Sequence, residues 1–265
     1  MTIDLGLKNR VAIVAASSEG LGKAVALGLA REGARLALCA RTERTLAATA
    51  DEIRRETGVE VLARPLDVSL EGQVHSFVQA ALAQFGRLDV VVTNAGGPPS
   101  KPFAATTIED WQRAVQLNLM SILYFARETL PVMRDQKWGR FITITSIAVK
   151  QPVEGLVLSN AVRQAVVGLV KTLSNEYGSA NVLVNNVCPG FTRTARLDDL
   201  SGRLAANEGV DPGEIQRRWS SQIPLGRLGT PDEFANVVVF LASECASYIT
   251  GASIAVDGGF AKGVY

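Results

Sequence analysis

The chain has 265 residues, of which 47% are hydrophobic and 20% are charged, and its formal net charge is +1. This length and composition are typical of a soluble globular protein with a large core. A net charge so close to zero argues against nucleic acid or an anionic membrane as a partner.

The cysteines and the histidine argue against a disulfide framework or a metal site. Cys39, Cys188 and Cys245 are far apart in the chain, and His75 is the only histidine. We therefore predict no metal and a reducing compartment, with the cytoplasm as the expected location. Residues 1–10 are too polar for a secretory signal, and no run of about 18 uncharged apolar residues is present to span a membrane.

Apolar, often β-branched runs alternate with helical patterns along the chain. We predict buried strands, apolar on both faces, at residues 11–16, 36–40, 59–66, 88–93, 140–145, 182–187 and 253–256. The segments between them are long enough for crossover helices, as at residues 71–85, where apolar side chains recur at helical spacing. The pattern predicts a single α/β domain over residues 1–265, a doubly wound, seven-stranded parallel sheet with helices on both faces.

The turn after the first predicted strand has the features of a phosphate-binding loop. Gly20 would let backbone amides approach a pyrophosphate, and Gly22 would let the following helix pack tightly on the sheet. Serine hydroxyls before them would donate to phosphate or cap the helix. Packing alone also places glycines at such turns. The predicted cofactor contacts in this turn are Ser17, Ser18, Gly20, Leu21 and Gly22.

The second predicted strand is followed by Arg41, with no Asp or Glu at its tip. An NAD site usually places an acidic side chain here to bind the ribose 2′-hydroxyl. A guanidinium can instead hold a 2′-phosphate through two hydrogen bonds. We therefore predict that NADP(H) is favoured over NAD(H), the alternative being that Arg41 is a solvated residue before a helix.

These segments and several later ones resemble the short-chain dehydrogenase/reductase family. Residues 15–22 are similar to the family's Thr-Gly-x-x-x-Gly-x-Gly turn, with Ala15 and Ala16 in place of Thr and Gly. If the second position needs a positive φ, Ala16 is strained. Further matches follow in order along nearly the whole chain: Asp67-Val68, Asn94-Ala95-Gly96-Gly97, Asn118, Ser146, Pro189-Gly190, Thr192 and Asp257-Gly258-Gly259.

The resemblance implies a Rossmann fold and a role for each matching residue. Asp67 would reach the adenine, Thr192 would contact the nicotinamide carboxamide, and Asn118 and Ser146 would be catalytic. The cofactor-binding residues implied by these motifs are Asp67, Val68, Asn94, Ala95, Gly96, Arg163, Pro189, Gly190 and Thr192. Taken singly, each has a structural alternative: Asp67 could cap a helix, and Asn118 could brace a neighbouring backbone.

The resemblance fails at the family's Tyr-x-x-x-Lys motif, in which the Tyr is the general acid/base and the Lys holds the nicotinamide ribose. The usual spacing from Ser146 leads to Ser159, with Arg163 in the place of Lys. Positions i and i+4 share one helix face, so Arg163 can still donate to ribose hydroxyls. A serine hydroxyl is a much weaker acid than a phenol, and losing a positioned acid/base typically costs about 10²–10⁴ in rate. The predicted catalytic residues are Ser146, Asn118, Ser159 and Arg163.

Other groups could supply the missing proton. Lys150 would serve if burial lowered its pKa, although a solvated loop position is the alternative. A water ordered by Ser146, Ser159 and Asn118 is the simplest donor. The tyrosines of the chain are Tyr124, Tyr177, Tyr248 and Tyr265.

Two segments interrupt the strand–helix alternation. Residues 97–107 form a proline-bearing loop, and residues 191–229 are long, charged and glycine-bearing, which predicts a substrate lid. The mixed charges of the lid indicate a solvated surface and identify no anionic substrate. The helix of residues 155–177 is apolar nearly all round, so we predict a homodimer or homotetramer through the helices bearing Asn118 and Arg163, as the resemblance also implies.

Three functions stay open at this point. The first is an oxidoreductase that moves a hydride between NADP(H) and a carbonyl/alcohol pair, with Ser159 in place of the Tyr. The second is an NADP(H)-binding sensor or partner subunit without turnover, which explains Ser159 and Arg163 more simply. The third is a lyase or isomerase on the same scaffold. No residue pattern identifies the substrate.

Overall fold

The computed structural model describes residues 4–263 and contains the predicted alternation of strands and helices. The strands among these residues are β1 (Val11–Ala15), β2 (Arg35–Ala40), β3 (Val61–Pro65), β4 (Val90–Thr93), β5 (Gly139–Ile144), β6 (Val182–Pro189) and β7 (Ser253–Val256). The α-helices among them are α1 (Gly20–Arg31), α2 (Glu43–Thr57), α3 (Glu71–Phe85), α4 (Ile108–Val115), α5 (Ser121–Gln136), α6 (Val157–Tyr177), α7 (Ala195–Glu208), α8 (Pro212–Gln222) and α9 (Pro231–Ala242).

All seven strands described in residues 4–263 pair in parallel, in the order β3-β2-β1-β4-β5-β6-β7. The strand order reverses between β1 and β4, so the loops that follow these two strands diverge and open a crevice at the carboxyl edge of the sheet. The predicted doubly wound parallel sheet is confirmed.

The prediction that every strand is buried on both faces is wrong for the two edge strands. β3 and β7 are partly exposed, whereas the five strands between them are almost wholly buried. Each edge strand has a neighbour on one side only and less helix above it. An apolar composition therefore does not distinguish an edge strand from a central one.

Two helical layers cover the sheet. One core cluster joins residues of α1, α2 and α9 to one face, and the other joins α3, α5 and α6 to the opposite face. Helices α1 and α9 are in close contact, because a Cβ placed on Gly28 would lie 2.9 Å from Val239 Cγ2. Within residues 4–263, no helix is long and apolar enough to cross a membrane.

The helix predicted to bear Asn118 is not a continuous α-helix. α4 and α5 are joined by a π-helical segment, Gln116–Met120, which contains Asn118. π-Helical turns are frequent at functional sites, because the extra residue per turn re-aims a side chain.

The predicted lid contains two helices, α7 and α8. The Thr194 side chain accepts a hydrogen bond from Leu197 N–H at the start of α7, and Asp211 caps α8. Beneath them, the Phe191 ring stacks on Trp219 with centroids 5.2 Å apart. This packing holds the base of the lid against the sheet.

The amino-terminal edge of the sheet carries a network of paired charges. The buried Asp89 carboxylate accepts hydrogen bonds from Val11 N–H at 2.8 Å and from the Arg10 guanidinium at 3.1 Å. The buried Arg140 guanidinium lies 4.2 Å from the centroid of the Trp138 ring and 3.4 Å from the Glu244 carboxylate. Every charge in this network has an opposite charge beside it.

Candidate functional site

The turn after β1 presents an uncapped helix end. Glu19 is the N-cap residue of α1, and no side chain caps the helix. The interpretation that a serine caps α1 is therefore wrong. Ser17 is buried and its hydroxyl donates to the Cys39 carbonyl at 3.4 Å, so it points into the sheet rather than towards a phosphate. The free amides of the first turn of α1 remain available to an anion.

Backbone strain in this turn matches the expectation for Ala16. Its φ is 49° and that of Gly20 is 57°. A positive φ suits Gly20, but it brings the Cβ of Ala16 close to the backbone and costs roughly 1–2 kcal/mol. The chain therefore keeps the turn geometry at a position where glycine would be unstrained.

Gly22 marks the point where the β1 turn meets the loop after β4. A Cβ placed on Gly22 would collide with the Ala16 carbonyl oxygen and lie 3.1 Å from Asn94 Nδ2. No side chain fits there without moving the turn. Leu21 packs partly on the core beneath. The structure thus brings residues 20–22 and Asn94 together, as predicted.

The tips of β2 and β3 carry Arg41 and Asp67. Arg41 is exposed, and its guanidinium makes no hydrogen bond or ion pair with the described residues. Arg64 on β3 is in register with Cys39, two residues before Arg41, and adds a second exposed cation that the sequence analysis overlooked. Asp67 is not a helix cap, since Leu70 is the N-cap residue of α3. Its Oδ1 accepts from Ser69 N–H and hydroxyl at 2.9 and 2.7 Å. Val68 is buried.

Asn118 ties the π-helical segment to the loop after β4. Its Nδ2 donates to the Gly96 carbonyl at 2.9 Å. Its Oδ1 is buried and has no hydrogen-bond partner within residues 4–263, and the same holds for Thr93 Oγ1 and Arg163 Nε. Buried polar atoms without a partner are uncommon in folded proteins and need a water or a ligand to satisfy them.

These three unpartnered atoms belong to residues that line one small cavity of about 10 Å³, whose lining residues are Thr93, Asn94, Ala95, Asn118, Ser121, Ile122, Ile144 and Arg163. That volume holds about one water molecule. Ser146 and Ser159 are not among its lining residues in the described chain. The structure therefore supports a water beside Asn118, but not one held jointly with the two serines.

Ser146 is oriented by the turn that follows β5. Its Oγ accepts a hydrogen bond from Ala148 N–H at 3.1 Å, which leaves its O–H available to donate. Helix α6 packs against the same turn, Ile147–Val149, and carries the buried Ser159 on its first turn. Both hydroxyls therefore lie at the carboxyl edge of β5.

Arg163 is buried one helical turn beyond Ser159. Its Nη1 donates to the Ile144 carbonyl at 3.3 Å. Burial, and after it the positive charge of Arg196, lower the pKa of Arg163 to about 10, against a smaller raising effect of Cys188. The side chain still carries its charge at neutral pH, without a carboxylate partner in the part of the chain described.

The residues after β6 have structural contacts. A Cβ on Gly190, next to Pro189, would lie 2.7 Å from Asp257 Cα, and the Thr192 hydroxyl donates to the Gly190 carbonyl at 3.4 Å. Thr192 lines a second cavity, of about 160 Å³, which shares no lining residue with the cavity beside Asn118. The predicted roles of Pro189, Gly190 and Thr192 in cofactor binding gain no direct support from these contacts.

The described tyrosines do not replace the missing phenol. Tyr124 Oη accepts a hydrogen bond from Gln116 Nε2 at 2.8 Å and packs in the core beside α3. Tyr177 ends α6, Tyr248 is fully exposed, and Tyr265 lies outside the described residues. Within residues 4–263, no group of His, Cys, Asp and Glu side chains is arranged to hold a metal ion.

Comparison with known proteins agrees with this geometry. A family model described as enoyl-(acyl carrier protein) reductase matches residues 15–261. The 3-oxoacyl-(acyl-carrier-protein) reductase FabG of Aquifex aeolicus (strain VF5) is 33% identical over 257 residues, which cover 97% of this chain and 99% of that protein. The chain belongs to the short-chain dehydrogenase/reductase family. The resemblance seen in the sequence motifs is confirmed.

This short-chain dehydrogenase/reductase is 37% identical over 256 residues to the monensin polyketide synthase putative ketoacyl reductase of Streptomyces virginiae, covering 95% of this chain and 97% of that one. The solved structure of L-sorbose reductase from Gluconobacter frateurii, complexed with NADPH and L-sorbose, matches with a TM-score of 0.95 at 32% identity, covering 99% and 100% of the two chains. The chain is an oxidoreductase of this family.

Proposed function

We propose that the protein is an NADP(H)-dependent oxidoreductase acting on a carbonyl/alcohol pair. The observation that carries this proposal is the crevice at the β1/β4 switch point. It has the uncapped N-terminus of α1 on one side and the unpartnered Arg163 Nε on the other. Gly22 lets the α1 turn pack closely against the Ala16 carbonyl and against Asn94 of the loop after β4. This arrangement fits a dinucleotide, whose phosphates need free amides and whose ribose needs a buried donor.

The position of each residue in the crevice indicates which part of the dinucleotide it would hold. Amides of the α1 turn would bind the phosphates, Asp67 Oδ2 is left to accept from the adenine, and Arg163 would donate to the ribose beside Asn118. The preference for NADP(H) rests on Arg41, with Arg64 nearby in register and no carboxylate at the tip of β2. Similarity to proteins named as complexed with NADPH supports the same choice.

When bound, the dinucleotide supplies or accepts a hydride at the carbonyl carbon. The part played by the chain is to orient the substrate and handle its oxygen. Ser146, with its Oγ lone pair held by Ala148 N–H, donates its proton in a hydrogen bond to that oxygen. The cation of Arg163 stabilises negative charge that develops nearby. Ser159 adds a second hydroxyl but no phenol-like acid, so the oxygen must take its proton from water. We expect slow turnover for this reason.

The first test is fluorescence titration with NADPH and NADH, followed by NADPH oxidation with a panel of ketones and 3-oxoacyl thioesters. We expect tighter binding of NADPH, measurable turnover that Ser146→Ala abolishes, and faster turnover in Ser159→Tyr/Arg163→Lys. Arg41→Met should weaken NADPH binding alone, with Arg44→Met as the matched control. Binding without turnover on the whole panel would favour the sensor or partner-subunit alternative, and no binding would refute the cofactor site.

We propose further that residues 1–265 act as one domain and that two copies pair through α5 and α6. Several small residues on the outer face of α6 are exposed in the described chain, among them Ala161, Ala165 and Gly168. Light scattering should report a dimer or tetramer, and Ala165→Arg should dissociate it; a monomeric wild type would refute the pairing. The cytoplasm stays a prediction from the cysteine content.

A further inference from the structure

One lid arginine reaches into the crevice. Arg196 is the second residue of α7, and its guanidinium lies against the loop after β4. A Cβ placed on Gly97 would lie 2.8 Å from Arg196 Cζ and 3.0 Å from Nη1, and one on Gly96 would lie 3.7 Å from Nη1. The absence of side chains at Gly96 and Gly97 is what allows the guanidinium to sit there.

The first turn of α7 also contacts the loop on the other side of the crevice. Thr194, the N-cap residue of α7, places its Cγ2 3.5 Å from the position of a Cβ on Gly20. The start of α7 therefore spans the two loops that diverge at the β1/β4 switch point. Any ligand that runs from the N-terminus of α1 to Arg163 would pass below Arg196.

The charges around this ligand path are unbalanced. Arg163 and Arg196 are close enough for Arg196 to lower the pKa of Arg163. Within residues 4–263 neither forms an ion pair with a carboxylate. The pKa of Arg196 is itself lowered, first by partial burial and then by Arg203. Two neighbouring cations without a counter-charge destabilise the fold unless an anion joins them.

Three other arginines of the lid, Arg217, Arg218 and Arg227, have acidic partners, whereas Arg193 and Arg203 form no ion pair within residues 4–263. Arg217 pairs with Glu214 at 2.9 Å, and Arg218 pairs with Glu208 at 2.6 Å. Those pairs agree with the predicted solvated lid surface. Arg196 lacks an acidic partner as Arg193 and Arg203 do, and it differs from them in its position against Gly96 and Gly97.

We propose that Arg196 and the buried Arg163 form a two-guanidinium subsite for an oxyanion, closed from above by the first turn of α7. The ligand group is a phosphate or carboxylate. Two sources carry that chemistry, the diphosphate of the dinucleotide and a carboxylate on the substrate. The inference rests on the proposed function for its biological ligand, but the subsite can be tested with simple anions.

The test uses the full-length protein and the intrinsic fluorescence of its tryptophans, because Trp219 lies in the lid and stacks on Phe191. Inorganic pyrophosphate, ADP-ribose and malonate are titrated against the wild type, Arg196→Met and Arg196→Lys. Arg193→Met is the matched control, since Arg193, three residues earlier, is exposed as Arg196 is but does not lie against Gly96 or Gly97. Limited trypsin digestion of the lid, with and without each anion, gives a second readout.

We expect Arg196→Met to weaken anion binding roughly 10- to 100-fold, since a charge-assisted hydrogen bond is lost. Arg196→Lys should recover part of the affinity, and Arg193→Met should change it by less than about twofold. Loss of pyrophosphate and ADP-ribose binding assigns the subsite to the cofactor, and loss of malonate binding alone assigns it to the substrate. Equal binding of all three anions by Arg196→Met and wild type would overturn the proposal. Wild type that binds pyrophosphate but not NADPH would instead refute the proposed function.

Discussion

The two ends of the sheet differ in whether their buried charged groups have partners of opposite charge. At the amino-terminal edge, the buried Asp89 carboxylate accepts from Val11 N–H and pairs with Arg10 and Arg87. Arg140 has the Glu244 carboxylate beside it. At this end, each buried charge is compensated by protein groups alone, so the network serves the stability of the fold.

At the carboxyl edge the buried charge is not compensated. The pKa values of Arg140 and Arg163 are both lowered to about 10, mainly by burial. The largest charge effect on Arg140 comes from Glu244, which raises its pKa, whereas the largest on Arg163 comes from Arg196, which lowers its pKa. Arg163 Nε and Asn118 Oδ1 have no partner within residues 4–263. Selection for stability alone would have paired or removed such groups. One such atom, Arg35 Nε, also lies at the amino-terminal edge, but within the described chain only at the carboxyl edge do three of them belong to residues around one cavity. That cluster indicates a site that is completed by a ligand.

Breaking the paired end should have the largest effect on stability. Asp89→Ala leaves Arg10, Arg87 and the Val11 amide without their common acceptor, so we expect a loss of about 3–5 kcal/mol in the free energy of unfolding. Denaturant melts would measure it. Asp135→Ala, which removes an exposed pair with Arg134, is the control and should change stability by less than about 1 kcal/mol. A similar small change in both variants would contradict the comparison.

Adding a methyl group at Gly22 should affect NADPH binding and stability together. Gly22→Ala places a Cβ against the Ala16 carbonyl oxygen, so we expect a loss of roughly 1–3 kcal/mol in stability from overpacking. NADPH affinity should fall strongly, because the turn must shift. Gly72→Ala is the control: it has open space around its Cβ and lies in the first turn of α3. Unchanged NADPH affinity in Gly22→Ala would show that the turn does not bind the phosphates.

Removing the uncompensated charge should stabilise the fold and weaken ligand binding. Arg163→Met replaces a buried, unpaired cation with an apolar chain of similar length, so we expect a gain on the order of 1 kcal/mol. Arg140→Met, at the paired end, should lose stability instead. The folded-state pKa of Arg163, about 10, lies below the ordinary value for an arginine, so the penalty of its buried charge is fully present below pH 10 and shrinks above it. The gain should therefore be constant from pH 7 to 9 in urea melts. If Arg163→Met were less stable than the wild type and still bound NADPH, Arg163 would serve the fold and not the binding of a ligand.

Relief of the backbone strain at Ala16 should have the smallest effect on stability. Ala16→Gly removes the penalty of a positive φ but adds freedom to the unfolded chain, so we expect a net gain of less than about 1 kcal/mol. Ala15→Gly, in the buried strand β1, should destabilise and is the matched control. Thermal melts of both variants distinguish strain at Ala16 from a general response to glycine.

The sequence predicts which segments form strands and helices better than it predicts where those segments end. The predicted run 253–256 coincides with β7, and residues 71–85 coincide with α3, because buried apolar periodicity is a local signal. The run 182–187 continues to Pro189, since pairing with β7 extends it. No helices are predicted within the lid, although Thr194 and the Asp211-Pro212 pair are recognisable helix starts.

The site could be predicted only as far as its motifs extend. Gly20, Gly22, Asn94, Asn118 and Arg163 meet at one edge, as the motif order implied. The partnership of Arg196 with Gly97 joins residues 99 positions apart in the sequence. This contact depends on how the first turn of α7 packs against the loop after β4. No local pattern distinguishes Arg196 from the paired lid arginines.

The contact between Gly28 and Val239 links the two halves of the chain in the order of synthesis. Helix α1 is made early, but part of its apolar face is covered only by α9, about two hundred residues later. A nascent chain therefore exposes that face through most of translation, and long-range parallel pairing is slow. We expect the dinucleotide turn to become rigid only after the carboxyl-terminal helix has docked, so that cofactor binding reports completion of the whole chain.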